Sequence, residues 1–376
     1  MNPTCAAPDP AAVEALCRRV AEIPGDVHDI VRHHVAAVAP LVHGAERERL
    51  VTAAIARLTG LDALELLLAD PTVDEVLVNR GGEVWVERDG RLERAEPIPP
   101  PTIPVVLERV LAPLGRRLDR TDPIVDARLP DGSRVCAVIA PIAVDGTAIS
   151  VRRLHRRALP LDAFCTSEVS EVLREIVRGR CNTIVAGATS SGKTSLLAAL
   201  LALLPPEERV LVLEDTAELA TPDGSHVVRL EARTATADGV RAVPLHELVR
   251  TALRLRPDRL VVGEVRGDEV LAMVQAMNTG HDGSWSTCHA NSVPDALGRL
   301  ETLVLQAAPS WPLTAVRAQL ARSIDIIVQV ARTSEAARRV VAIGEVVVDA
   351  SGPGVRPIVE GGRVVGRLGR SRGWRT

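Results

Sequence analysis

Thr183-Ile184-Val185-Ala186-Gly187-Ala188-Thr189-Ser190-Ser191-Gly192-Lys193-Thr194-Ser195 is the stretch on which the reading of this chain turns. Its first four residues form an apolar run and predict a short buried strand. Residues 195–204 predict a helix, ended by Pro205-Pro206. Between them, Gly187 to Thr194 fits the pattern G-x-x-x-x-G-K-[ST]. In that pattern the glycines let backbone N–H groups curl around phosphate oxygens. The lysine reaches the β- and γ-phosphates, and the hydroxyl ligates Mg²⁺. The helix that follows turns its N-terminus toward the same phosphates. The candidate nucleotide-binding residues are therefore Gly187, Ala188, Thr189, Ser190, Ser191, Gly192, Lys193, Thr194 and Ser195, with ATP and Mg²⁺ as the expected ligands.

Lys193 is the only lysine in 376 residues; the other 44 of the 45 basic residues are arginine. Codon bias toward Arg, Ala, Gly, Pro and Val accounts for the shortage. It also makes the exception informative, because a compact ammonium on a flexible stem differs in shape and hydration from a planar guanidinium. With a single lysine, two glycines and a Ser/Thr fall at these offsets by chance about once in 2,000.

A phosphate loop alone does not define a reaction; nucleotide hydrolysis also needs carboxylates that hold magnesium and orient water. Two runs offer them. Leu211-Val212-Leu213 leads into Glu214-Asp215, and Leu260-Val261-Val262 leads through Gly263 to Glu264. Strands alternating with helices after residue 168 predict a parallel α/β sheet. In such a sheet ligands gather at the carboxyl ends of strands. Glu214 and Glu264 are thus expected beside Lys193, either of them as the base, with Thr194 and Glu264 as Mg²⁺ ligands. Acids in ordinary loops are the competing reading.

Outward from this core, residues 1–60 predict a helical N-terminal segment, with helical spacing over Ala11–Ile23 and Glu46–Leu58. His28, His33 and His34 are read as a solvated helix face rather than a metal site. Residues 61–154 predict a small α+β domain: a helix over Leu61–Ala69, strands over Val73–Val78 and Val84–Glu87, a proline cluster at residues 97–104, a helix over Val105–Leu114, then strands over Val135–Ala140 and Thr147–Val151. Residues 155–167, with Arg156 and Arg157, read as a linker, 168–348 as the nucleotide-binding domain, and 349–376 as a loosely ordered Gly/Arg-rich tail. The tail's excess of arginine (Arg356, Arg363, Arg367, Arg370, Arg372, Arg375) leaves contact with anionic lipid as a second reading.

Composition excludes several classes. Apolar residues make up 46% and charged residues 25%, which rules out a mainly disordered chain. The formal charge of −3 and aromatic content of 1% argue against a direct nucleic-acid binder. No two of the six cysteines are spaced C-x-x-C, so free thiols in a reducing cytosol are expected rather than zinc or disulfides. No apolar stretch is long enough to span a bilayer, and the first residues lack a signal-peptide pattern.

Residues from about 60 to 345 resemble the secretion and pilus-assembly ATPases of type II/type IV secretion, most closely the TadA/CpaF subfamily. Five blocks in order carry the resemblance: Asp126 to Val135 (DARLPDGSRV), the phosphate loop, Glu214 to Leu219 (EDTAEL), Leu253 to Gly267 (LRLRPDRLVVGEVRG), and the pair Ala276 to Ser284 with Ser286 to Asn291 (AMNTGHDGS, STCHAN). Two departures stand out. Ser190 occupies a position where the family has glycine, and the tetracysteine insert of the type II branch is missing. The resemblance implies a RecA-like P-loop NTPase domain with a parallel central sheet, preceded by a smaller α+β N-terminal domain and a helical N-terminal segment. It implies a homo-hexamer with ATP between the two domains, and Arg134, Arg152 and Arg153 of the small domain reaching the phosphates. It implies that His281 and His289 sense the γ-phosphate; from residue chemistry alone, core or metal-binding histidines remain open. It further implies inner-membrane platform proteins as partners and peripheral docking at the inner face of the cytoplasmic membrane. The alternative is a conjugation-type or DNA-translocating motor.

Overall fold

The computed structural model describes residues 8–369 except 89, 99–101, 155–158, 236–238, 334–336 and 350–351. Three readings fall outside these residues: the prolines at 99–101, the linker arginines Arg156 and Arg157, and the tail arginines Arg370, Arg372 and Arg375. Cys5 lies outside them too. The chain divides into two compact units, residues 1–155 with 236–238 and residues 156–235 with 239–376.

The first unit opens with three helices, α1 (Pro10–Val20), α2 (Val27–Val38) and α3 (Gly44–Thr59). Their starts are set by sequence. The Asp9 carboxylate accepts from the Ala11 N–H with Pro10 in the first turn, and Asp26 accepts from the His28 and Asp29 N–H groups. Leu16, Val31, Val35, Leu50 and Ala54 close the small core between them. The chain continues through α4 (Ala63–Ala69), β1 (Val73–Val78), β2 (Val84–Arg88), β3 (Arg91–Ala95), α5 (Thr102–Leu111), β4 (Ile124–Arg128), β5 (Arg134–Val138) and β6 (Ala148–Arg152). The strands form a six-stranded antiparallel sheet in the order β3-β2-β1-β6-β5-β4. One face, with Val76, Val78, Val84, Val135 and Val151, buries against Leu107 and Leu111 of α5. Strand β3 carries no apolar alternation and escapes the sequence reading. It is an edge strand held by pairing to β2, with a charged, exposed surface suited to an edge.

The second unit comprises α6 (Ser167–Arg178), β7 (Thr183–Ala186), α7 (Lys193–Leu201), β8 (Val210–Glu214), β9 (Val227–Glu231), α8 (Leu245–Ala252), β10 (Arg259–Val262), α9 (Glu269–Asn278), β11 (Trp285–Cys288), α10 (Val293–Ala307), α11 (Leu313–Ser323), β12 (Ile326–Arg332), β13 (Arg338–Asp349), β14 (Gly352–Glu360) and β15 (Arg363–Val364). Its nine-stranded sheet runs β15-β14-β13-β12-β7-β11-β10-β8-β9. From β12 to β9 every neighbouring pair is parallel, and β13, β14 and β15 are added antiparallel. Successive residues of β7 feed opposite layers. Ile184 and Ala186 pack with α8 to α11, and Val185 packs with α6 and α7. With both faces covered, β7, β8 and β10 are buried at every position, which is why they read as unbroken apolar runs.

Two expectations are corrected. Residues 155–167 are not a linker throughout, since Leu161 and Phe164 are buried in the core beside α6 and α7. Nor is everything after 348 a loose tail: residues 352–364 form β14 and β15, with Ile358 and Val359 fully buried and Arg356 paired to Glu345. The Gly and Arg content signalled looseness, but pairing to β13 satisfies the backbone that composition alone leaves open.

Asn182 fixes the amino end of β7. Its side-chain oxygen accepts from the N–H groups of Gly283 and Ser284, and its amide donates to the carbonyls of Met277 and Ser323. Its own N–H donates to Asp325. Truncation would strand several buried polar groups, each worth about 1–3 kcal/mol. Asn182→Ala is expected to lower the unfolding free energy by roughly 3 kcal/mol or more, read by urea denaturation.

Candidate functional site

Gly187 lets the chain leave β7 and turn immediately. A Cβ there would stand 2.4 Å from both the Val330 carbonyl oxygen and Ser191 Oγ, so only glycine fits. Gly192 sits at φ +100° just before α7, the second place where the turn requires it. Ser190 takes φ +57°, the left-handed region where a side chain costs about 1 kcal/mol. The serine that departs from the family's glycine thus occupies the position where glycine is conformationally easier.

The loop closes over its lysine. Lys193 is 7% exposed, and its Nζ donates to the carbonyls of Gly187 (3.1 Å) and Ala188 (3.0 Å). It also lies 3.3 Å from His289 Nδ1. His289 Nε2 in turn lies 2.8 Å from Glu264 Oε1, and Glu264 Oε2 accepts from Arg266. A protonated lysine can only donate, so Nδ1 is the acceptor and Nε2 carries the hydrogen; Nε2 touches Glu264 Oε1 without the alignment of a hydrogen bond. Burial holds the His289 pKa below the usual imidazole value, although Glu264 pulls it the other way. The neutral ring therefore links the loop cation to the acid at the end of β10.

Glu214 has a different setting. It is 4% exposed at the end of β8, and one oxygen accepts from the N–H groups of Glu218 (3.0 Å) and Leu219 (2.8 Å). Its other oxygen has no hydrogen-bond partner, with Arg229 at 3.8 Å. Burial pushes the carboxyl up to about 7, against the pull of the two N–H groups and Arg229. The side chain lies over Gly263, where a Cβ would stand 2.8 Å from Glu214 Cγ. Gly263 is thus needed for two acids on neighbouring strands to share one end of the sheet.

The predicted site residues divide accordingly. The loop, Thr194 at the start of α7, Glu214, Glu264 and His289 share the carboxyl ends of β7, β8, β10 and β11. His281 does not join them: it precedes β11 while His289 follows it, and its ring meets the Ala276 carbonyl at the amino end of the sheet. The strand between them separates the two histidines that sequence had grouped. In the first unit, Arg134 and Arg152 are register partners on one exposed sheet face, with Arg134 bonded to Asp126 at 2.7 Å. Arg153 turns away and donates to the Asp70 carbonyl, a tie within its own domain. Sequence reading missed Arg332 and Arg338, which bond to Ser190 and Ser195. No local pattern marks them, since each stands more than 140 residues from its partner in the loop.

The family model for type II/IV secretion system protein matches residues 57–357. The chain belongs to that family. A putative conjugal transfer protein of Mycobacterium tuberculosis is 38% identical over 299 residues, covering 76% of this chain and 84% of the relative. The conjugal transfer protein TrbB of Rhizobium radiobacter is 34% identical over 286 residues, covering 74% and 85%. Among solved structures, the Legionella pneumophila ATPase DotB superposes with a TM-score of 0.55 at 19% identity, covering 77% and 81%, and supports the fold. Among the described residues, no helix of this type II/IV secretion system protein is long and apolar enough to cross a membrane.

The residues fit the implied ligands. A turn open only to glycine, an unpartnered buried Ser191 hydroxyl and a buried ammonium suit a polyphosphate. The Thr194 hydroxyl and the Glu264 carboxylate are hard oxygen donors of the kind magnesium takes.

Two predictions follow from this geometry. The unfolded chain releases the Glu214 proton near 4.5, and the folded chain keeps it to about 7. The folded state therefore binds more protons between those values, and this group's contribution to stability falls as pH rises through that window. The loss amounts to at most about 3 kcal/mol. Glu214→Gln in the nucleotide-free protein should remove that fall and leave it more stable than wild type above pH 7, measured by urea denaturation at pH 5 and pH 8. Ser190→Gly should raise the unfolding free energy by up to about 1 kcal/mol, read as a higher melting temperature.

Proposed function

We propose that this protein is a ring-forming motor ATPase that hydrolyses ATP to drive a secretion or pilus-assembly machine. In this reading it is a TadA/CpaF-type member that works as a homo-hexamer. It docks on inner-membrane platform proteins at the cytoplasmic face and powers assembly of a Tad/Flp-type pilus or a type II/IV secretion apparatus. The observation that carries the ATPase reading is the connected line Lys193–His289–Glu264, which joins a phosphate-loop cation to a strand-end acid through one neutral ring.

That line suggests how the residues act. Lys193 exchanges the loop carbonyls for the β- and γ-phosphates when ATP enters, while the loop N–H groups hold the other phosphate oxygens. Thr194 and Glu264 hold magnesium, which when bound neutralises charge on the phosphates. Glu264, fixed between His289 and Arg266, orients the attacking water. His289 loses Lys193 as a neighbour when the lysine moves, so its contact with Glu264 reports the occupancy of the loop. Glu214, in its dry slot, supports the same strand end and can hold a proton near neutral pH. Arg134 and Arg152 are the small-domain cations assigned to the phosphates. Arg153, tied to Asp70, is the weakest of the three candidates.

A second reading, a conjugation-type motor, is favoured by the names of the two relatives above. The two readings separate by DNA dependence: ATP turnover stimulated by DNA and suppressed by salt supports a motor acting directly on DNA.

In purified protein, Lys193→Ala should lower ATP turnover at least about 100-fold by removing phosphate binding. Glu264→Gln should retain ATP binding but lose turnover to a similar degree. Wild-type turnover in both variants would sink the assignment.

A further inference from the structure

The phosphate loop is held by two arginines of the C-terminal hairpin. Arg332 ends β12 and Arg338 begins β13, and the two are register partners across that hairpin. Arg332 Nε donates to the Ser190 carbonyl at 2.8 Å. Arg338 Nη1 donates to the Ser195 hydroxyl at 3.3 Å. The stem of Arg338 lies over Gly192, where a Cβ would stand 2.6 Å from its Cδ. Two guanidinium groups from a region far along the chain thus sit on a loop whose residues Ala188, Thr189 and Ser190 are exposed.

Their position separates them from the line that runs to Glu264. His289 follows β11 and Arg332 closes β12, so they flank the loop from opposite sides of β7. Arg338 lies over Gly192 and beside Ser195, in the first turn of α7. In a loop of this kind, N–H groups there surround the α- and β-phosphates. A guanidinium matches two phosphate oxygens with parallel donors, and its hydrogen bonds to an anion are stronger than those to a neutral hydroxyl or carbonyl.

We propose that Arg332 and Arg338 form a gripping pair for the α/β-phosphate end of a nucleoside di- or triphosphate, acting on nucleotide binding and not on bond cleavage. The inference rests on reading the loop as a nucleotide site. It adds positioning residues from the C-terminal hairpin, so that nucleotide occupancy and the seating of the hairpin on the loop support each other.

The test uses the full chain as wild type, Arg332→Met, Arg338→Met, Arg338→Lys and the double methionine variant. Methionine keeps an apolar stem over Gly192 and removes the charge. Affinity for ADP and for a non-hydrolysable ATP analogue is measured by equilibrium binding, beside KM and kcat for ATP. Each methionine variant should weaken ADP and the analogue by the same factor, about 5- to 20-fold, with KM rising in parallel and kcat within about threefold of wild type. Arg338→Lys should recover part of the loss. Wild-type ADP affinity in the double variant would overturn the pair. So would a loss confined to kcat, or a loss of affinity in Arg338→Met that lysine does not relieve at all. A wild-type protein that binds neither nucleotide defeats the nucleotide reading itself, whereas strong wild-type binding with an indifferent double variant defeats the gripping pair alone.

Discussion

The crowded carboxyl end of β7 is the constraint to which the second unit answers. At Gly187 the chain must turn beneath the Val330 carbonyl and against Ser191, with room for a hydrogen and nothing larger. That turn points the loop back over its own lysine and starts α7 at once. β7 sits between β11 and β12, so the same turn sets the loop beside His289, which follows β11, and Arg332, which closes β12. At the other end Asn182 ties β7 to the loop before β11 and to the ends of α9 and α11. A four-residue strand pinned at both ends by side-chain and backbone packing leaves little freedom in where the loop can stand.

Around that fixed loop, burial and pairing give two similar acids different characters. Glu264 meets the Arg266 guanidinium on one oxygen and the neutral His289 ring at the other. Glu214 faces backbone N–H groups on one oxygen and only a distant Arg229 on the other, and its burial outweighs both and keeps its proton to about 7. Lys193 carries a buried charge that two carbonyls and one ring nitrogen compensate. Burying a charge without such partners is strongly unfavourable. An anionic phosphate would be a stronger partner for this ammonium than those neutral groups.

Much of this was legible in the primary structure. The phosphate loop, the two acids after apolar runs, the parallel α/β core and the helical first segment follow from local spacing and composition, because each is a short-range pattern. β3 was not legible, because an exposed edge strand carries no apolar alternation. β14 was hidden by Gly, Pro and Arg, residues that signal looseness until a neighbouring strand satisfies their backbone. Leu161 and Phe164 read as linker because two apolar residues in an irregular stretch have no period to betray burial. His281 and His289 read as a pair because sequence proximity says nothing about which end of a strand each will occupy.

The amino-acid sequence by itself determined where the glycine-rich loop and the strand-end acids stand, and the fold class. The single lysine with glycines at fixed offsets, and runs of apolar residues long enough for strands with acids at their ends, are sufficient for both. Only the tertiary structure decided that His289 and not His281 meets Lys193, that Glu214 is dry while Glu264 is paired, and that Arg332 and Arg338 arrive at the loop from the C-terminal hairpin. Each of those depends on which strand lies beside which, and strand neighbours in a parallel sheet are joined by contacts across scores of residues that no local pattern encodes.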